Sequence, residues 1–470
     1  MAAGPTTSHH QRNRPPRFTM VRAACLTLCV AAITPTLTHP SKAEEASPRL
    51  VPMQGVPPSR ETQVTLANYA QYPLSRWSFR NPGAVFNTVS IPRQGAIHVL
   101  PGPARPELGQ QLVTDAQGQA VGFNELFKAN YANGVAIVQG EKLLHEAYFH
   151  DFSPLDRHLW FSMTKSLVSS AFGILIAQGK VNLQASPADY IPELKGTGFE
   201  RVSIQQVLDH STALDFKEDY VDPQSDFARH YLPALSMGWL PGAADVQPAD
   251  ATIYGVHDFL MHFVNPRADL EPGMYFNYNS SNADVLGWLI SRVSGVSLHT
   301  FLQKELWSKL GAEHDALMVV DRALMPVATA GMSSTLRDAA RFGMMIRDRG
   351  EFAGQRVIPA DWVDATLSVK DSVRSRMANH PSYQQEPWFA YHNMWWVLSV
   401  DQGEYCALGS FGQIIYVNRS ANTVIVWFSS QPLGSAVSNA PFRAKLKAAR
   451  TLAATLHEER CKVDRGENCE

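Results

Sequence analysis

Ser162 and Lys165 stand three residues apart at the head of an apolar helical pattern, and no other feature constrains this chain as much. In Phe161-Ser162-Met163-Thr164-Lys165-Ser166-Leu167-Val168, helical backbone would put hydroxyl and amine on one face, one turn apart and within reach of each other. Leu167, Val168, Ala171, Phe172, Leu175 and Ile176 continue at helical spacing to Gly179, a C-terminal stop, so Ser162 falls in the first turn of a buried helix. A helix start offers free N–H groups and the positive end of the dipole, and both favour a developing anion. The spacing alone leaves two readings open, a nucleophile beside its base or a helix cap with a solvated lysine.

The 470 residues, 45% hydrophobic with 10 Trp, can bury a large core and suggest two or three domain-sized units. The formal net charge of -2 and the lack of a dense Lys/Arg block give no reason to expect nucleic acid or an anionic membrane as partner. Residues 1–43 read as a signal peptide: Arg17 and Arg22 precede an apolar run from Ala23 to Thr34, and Ser41-Lys42-Ala43 suits cleavage after Ala43. The run is too short to span a bilayer, so no stable membrane span is expected after cleavage; a disordered tail or an uncleaved anchor are the alternatives. Export to a periplasmic or secreted location would leave Cys406, Cys461 and Cys469 in an oxidising compartment. Cys461 and Cys469 flank a short polar loop and either pair or remain thiols in a frayed tail, while Cys406 is expected to be buried and inert.

Residues 44–115 are rich in Pro, Arg, Gln and Ser with isolated aromatics such as Trp77 and Phe79, and read as an extended N-terminal arm over a globular body. Regular order is expected from Phe123, with a β-hairpin over Val135–Val138 and Leu143–Tyr148 turning at Gly140-Glu141. Helices are expected at 202–208, 257–263, 283–293 and 298–310, and strands at 394–399, 409–417 and 423–429 before a terminal helix at 444–457. Strands at both ends with helices between them indicate an α+β fold, an antiparallel sheet flanked by helices with an inserted all-α subdomain at about 185–310. The main domain then runs over 116–460, followed by a cysteine-containing tail at 461–470.

Three segments together carry a resemblance: Ser162-Met163-Thr164-Lys165; Pro272-Gly273 through Tyr278-Asn279-Ser280 with Asp284-Val285-Leu286-Gly287; and Gly409-Ser410-Phe411-Gly412-Gln413. In this order and approximate spacing they resemble the penicillin-recognising SxxK serine hydrolases, the β-lactamase and penicillin-binding-protein-like superfamily. Gln206-Val207-Leu208, Glu218 through Pro223, Gly331 through Ser333 with Arg337 through Arg341, and Trp395-Trp396 look most like the 6-aminohexanoate-dimer hydrolase and class C-like esterase branch. The likeness spans roughly Asn124 to Leu456. It implies a β-lactamase-like fold and an acyl-enzyme on Ser162, with Lys165 as base and Tyr278 as proton shuttle. It also implies an oxyanion hole from the Ser162 and Ser410 N–H groups. Tyr220, Ser280, Gly409, Phe411 and Gly412 are the expected substrate-binding residues.

The departures narrow the chemistry. Neither Lys-Thr-Gly nor Ser-Asp-Asn is present, and the matching strand carries Gly-Ser-Phe-Gly with no basic side chain for a substrate carboxylate. The family's His-Thr-Ser-Gly stretch is His210-Ser211-Thr212-Ala213 here, without its glycine. The favoured substrate is therefore a small-molecule ester or amide, with a β-lactamase or D-alanyl-D-alanine peptidase as alternative and a non-catalytic binding module on the same fold as second alternative. His210 reads as structural and Trp396 as core, and Tyr220 is open between cleft and core. No metal-ligand pattern occurs and no cofactor is expected, while the lack of a Gly-x-Ser-x-Gly elbow removes the α/β-hydrolase alternative. Oligomeric state has no signal.

Overall fold

The structure is a computed structural model that describes residues 51–238, 253–380, 383, 387–435 and 439–464. The signal segment and Cys469 lie outside these residues. Leu50–Glu470 is one compact unit.

Its centre is a seven-stranded antiparallel sheet built from both ends of the chain. The N-terminal pair is β1 (Ala132–Gln139) and β2 (Lys142–Tyr148); the C-terminal strands are β3 (Ala390–His392), β4 (Trp395–Ser399), β5 (Glu404–Gly409), β6 (Gln413–Asn418) and β7 (Thr423–Ser429). Their order is β3-β4-β5-β6-β7-β1-β2, so β7 closes the sheet by pairing with β1, Ile425 opposite Ile137. Residues of β5, β6 and β7 are buried throughout, which is why these strands read as nearly continuous apolar runs rather than alternating ones. Both faces are covered. Val424 of β7 meets the helix α3 (Leu336–Arg347), where a Cβ on Gly343 would lie 2.6 Å from Val424 Cγ1, so glycine there lets the helix sit close. Trp427, three residues on and so on the opposite face, packs against Phe442 of the terminal helix α4 (Ala440–Asp464).

The helix α1 (Met163–Ala177), which Ser162 caps, is buried at every position from Met163 to Leu175, so its hydroxyls and Lys165 lie inside with its apolar side chains. Its hydroxyls are satisfied: Ser166 donates to the Met394 carbonyl and Ser169 to that of Asn393, each at 2.7 Å. It ends where Gly179 was expected to stop it, with Gly179 at φ 67° and the Gly179 and Lys180 N–H groups folding back to Ile176 and Leu175. Between α1 and residue 315 the described chain holds no regular strand; its longest helix is α2 (Ser281–Ser294). The fold is α+β, as expected.

Three expectations change. The single strand over 409–417 is two strands, β5 and β6, interrupted by a turn at Ser410–Gly412; apolar composition continues through that turn because it is buried. The preceding stretch, Glu404 to Leu408, was not recognised as a strand. Order also begins well before Phe123. In the arm, Tyr69, Phe79 and Ile91 are fully buried, and Thr88–Ile91 pairs with Ala316–Val319 in a second, four-stranded sheet with Met332–Ser334 and His158–Leu159. The arm's polar composition concealed these few inward-facing residues.

Candidate active site

Ser162 caps α1 at φ -64°, ψ -9°, immediately after Phe161, whose φ of 49° is left-handed. Lys165 Nζ donates to Ser162 Oγ at 2.8 Å and to the Thr329 carbonyl at 3.1 Å. Lys165 is only 1% exposed, and loss of water lowers its pKa to about 8, against the opposing pull of Glu218 and Asp284. A lysine of this kind is neutral often enough near neutral pH to accept a hydroxyl proton.

Tyr278 lies in the segment just before α2. Its ring is 5.2 Å from Lys165 Nζ and stacks on Trp396 at 5.6 Å between centroids. Burial, reinforced by Glu218, pushes its phenol upward, while a hydrogen bond with the Ser162 side chain pulls it back. Trp396 is therefore both core, as expected, and the backing of Tyr278. His210 packs against Tyr278 at 4.9 Å, and its Nδ1 accepts the Asn279 N–H at 3.0 Å. Its buried Nε2 has no partner, so the expected structural histidine is only half satisfied.

The β5–β6 turn stands beside Ser162. A Cβ on Gly409 would sit 2.2 Å from the Trp160 carbonyl oxygen, so only glycine lets the end of β5 approach the segment that leads into Ser162. Ser410 and Ser162 consequently line one pocket. Neither main-chain N–H takes part in a hydrogen bond found among the described residues. Phe411, directly after Ser410, is left-handed at φ 61°. A left-handed conformation at a bulky residue costs on the order of 1–3 kcal/mol, and such strain concentrates at functional sites.

Phe161, Ser162, Thr329, Ala330 and Ser410 line the pocket from around α1 and the sheets. Tyr220, Phe227, Tyr231, Leu232, Leu235 and Ser280 line it from the helical region, and no carboxylate or basic side chain is among the described residues that line it. Phe227–Tyr231 is a π-helical turn, a rare geometry that recurs at binding sites. Of the expected substrate-binding residues, Tyr220 and Ser280 reach this pocket. Gly409, Phe411 and Gly412 do not line it. Gly409 is pressed on Trp160, the Phe411 ring turns inward to Phe79 and Phe161, and Gly412 is packed on Gln431.

Two carboxylates were not singled out from sequence. Glu218 accepts hydrogen bonds from the Ser280 N–H and the Tyr220 hydroxyl, tying the pocket wall to the start of α2. Asp284 is buried, and accepts from the Thr329 N–H at 3.1 Å and the Tyr231 hydroxyl at 2.5 Å. Burial raises its pKa to about 7, opposed first by the Tyr231 hydrogen bond and then by the charge of Lys165. One residue, Thr329, thus links this carboxyl to the lysine, through its N–H on one side and its carbonyl on the other. Its signal was an acid inside the apolar run Ala283-Asp284-Val285-Leu286; Thr329 had none. Among the described residues no three His, Cys, Asp or Glu side chains converge to hold a metal ion.

Comparison with known proteins matches residues 123–449 to the family model described as Beta-lactamase. The chain is 32% identical to the 6-aminohexanoate-dimer hydrolase of Paenarthrobacter ureafaciens over 368 residues, covering 78% of this chain and 88% of that protein. A Bacillus anthracis structure that carries a provisional 6-aminohexanoate-dimer hydrolase name superposes with a TM-score of 0.73 at 26% identity, over 85% of this chain and 98% of that one. A penicillin-binding protein homologue from Caulobacter crescentus shares the fold at a TM-score of 0.51 and 13% identity, over 70% of this chain and 96% of that one.

Proposed function

The chain belongs to the beta-lactamase family and is a serine hydrolase, and on that premise we propose that it cleaves a linear amide through an acyl-enzyme on Ser162. The observation that carries the reading is the 2.8 Å hydrogen bond between Ser162 Oγ and a buried lysine whose pKa is lowered to about 8. Neutral Lys165 takes the Ser162 proton as Oγ attacks the carbonyl carbon. The resulting oxyanion is held by the Ser162 and Ser410 N–H groups. Tyr278 delivers a proton to the departing amine and its oxygen then draws one from the water that releases the acid, while Lys165 returns the Ser162 proton. The likeness to the 6-aminohexanoate-dimer hydrolase of Paenarthrobacter ureafaciens supports amide over ester. A linear aliphatic acyl chain suits the wall of Phe227, Leu232 and Leu235. Export through residues 1–43 belongs to the same proposal, supported by the Arg17/Arg22 region, the apolar run and Ser41-Lys42-Ala43.

A fluorophosphonate should leave a mass adduct on Ser162, and 6-aminohexanoate dimer or p-nitrophenyl butyrate should be turned over in preference to nitrocefin. No adduct together with no turnover would overturn the acyl-enzyme. Rapid nitrocefin hydrolysis would move the substrate class to β-lactams, although no basic side chain lines the pocket to meet a β-lactam carboxylate.

A further inference from the structure

The two residues beside the proposed oxyanion donors are both non-glycine and left-handed: Phe161 directly precedes the peptide carrying the Ser162 N–H, and Phe411 is the middle residue of the turn that Ser410 opens. Bulky side chains hold such a conformation only where their surroundings over-determine it. Here the surroundings include each other and one further ring, beside main-chain hydrogen bonds from the Phe411 N–H to the Gly434 carbonyl and from the Gln431 N–H to the Phe411 carbonyl, each at 3.1 Å. Phe161 and Phe411 lie 5.0 Å apart, and Phe79 lies 4.9 Å from the first and 5.0 Å from the second. All three rings are buried. Phe79 comes from the N-terminal arm, ahead of the residues that match the family model. Its carbonyl accepts the Leu159 N–H at 2.8 Å, on the strand that leads into Ser162, and Tyr69 packs edge-on against its ring at 6.3 Å.

We propose that Phe79 is a positioning residue for the oxyanion hole, a wedge from the arm that keeps Phe161 and Phe411 left-handed and so keeps the Ser162 and Ser410 N–H groups aimed at one point. The inference rests on the acyl-enzyme reading above. Without the wedge both turns can relax toward right-handed backbone, and two donors that no longer converge lose their preferential stabilisation of the developing oxyanion over the ground-state carbonyl.

The test compares Phe79→Ala and Phe79→Leu with Ile91→Ala, a fully buried residue of the same arm that pairs with Ala316 in the second sheet. Each is assayed on an ester and on its thionoester, whose sulfur is a poor ligand for an oxyanion hole. Losing one donor outright costs about 10²–10³ in turnover, so misaimed donors in Phe79→Ala should lower kcat about 10- to 100-fold. KM should change little and the preference for oxygen over sulfur should shrink, with Phe79→Leu intermediate. Ile91→Ala should lower Tm and leave kcat and the preference alone. Phe79 variants that lose Tm but keep kcat and the oxygen preference would overturn the proposal; if Phe79→Ala does not fold, Phe79→Leu decides by the same criterion. Wild-type protein that neither turns over the ester nor forms the Ser162 adduct would instead defeat the acyl-enzyme reading itself.

Discussion

The two walls of the cleft are held in different ways. On the sheet side, Ser162, Lys165 and Ser410 are fixed by main chain: a buried helix start, the Thr329 carbonyl, and a strand end pressed on Trp160 through Gly409. On the helical side, Tyr220, Tyr231 and Ser280 are fixed largely by two carboxylates, Glu218 and Asp284, and the apolar wall rides on a π-helical turn. Main-chain packing tolerates almost no displacement, whereas a wall held by side chains can be recut by substitution. On the proposed reading the sheet side, together with Tyr278 just ahead of α2, carries the reaction chemistry, and the apolar wall of Phe227, Leu232 and Leu235 carries selectivity.

The sharpest test of that division is Ser162→Ala and Lys165→Ala. Each should remove activity by on the order of 10⁴-fold or more with Tm largely kept, since the members of such a unit are not additive. A Lys165→Ala protein retaining most activity would break the base assignment. In wild type, kcat/KM should rise with pH through about 8, because the base works only after Lys165 loses its proton. A pH profile flat across that range would count against it equally. Next comes Gly409→Ala, whose Cβ would meet the Trp160 carbonyl oxygen at 2.2 Å. Displacing Ser410 should cost about 10²–10³ in kcat for short and long acyl substrates alike. A selective loss on long substrates would blur the comparison. The smallest effect is expected on the other wall. Leu235→Ala should shift the ratio of kcat/KM between long and short acyl chains about tenfold toward the long, with kcat on the short chain nearly kept. A uniform loss would mean that this wall also supports the chemistry.

Most of the site was legible in sequence because its parts are local. Ser162 and Lys165 share one helical turn, Tyr278 and Ser280 precede one helix, and Gly409-Ser410 end one strand, so spacing and turn residues report them. The β1–β2 hairpin, α1 with its Gly179 stop and β7 were readable for the same reason. The failures share the opposite cause. The Ser410–Gly412 turn is buried, so it carries apolar residues where turns are ordinarily polar, and it passed for strand. Phe411 was taken for a cleft residue, although its left-handed backbone turns the ring into the core. Asp284 and Glu218 act through partners 45 and 62 residues away in the chain, Thr329 and Ser280, a distance at which no periodicity reports a contact.

The sequence by itself determined the fold class, the placing of Ser162 and Lys165 on one helical turn, and the order in which the site's segments occur, because hydrophobic periodicity and short-range spacing are encoded within one turn or one strand. Only the tertiary structure decided that Ser410 meets Ser162 at one pocket, what lowers the lysine's pKa, and that a phenylalanine of the arm packs against both Phe161 and Phe411. Those properties arise from burial and from contacts between distant segments, and they exist only once the chain has closed on itself.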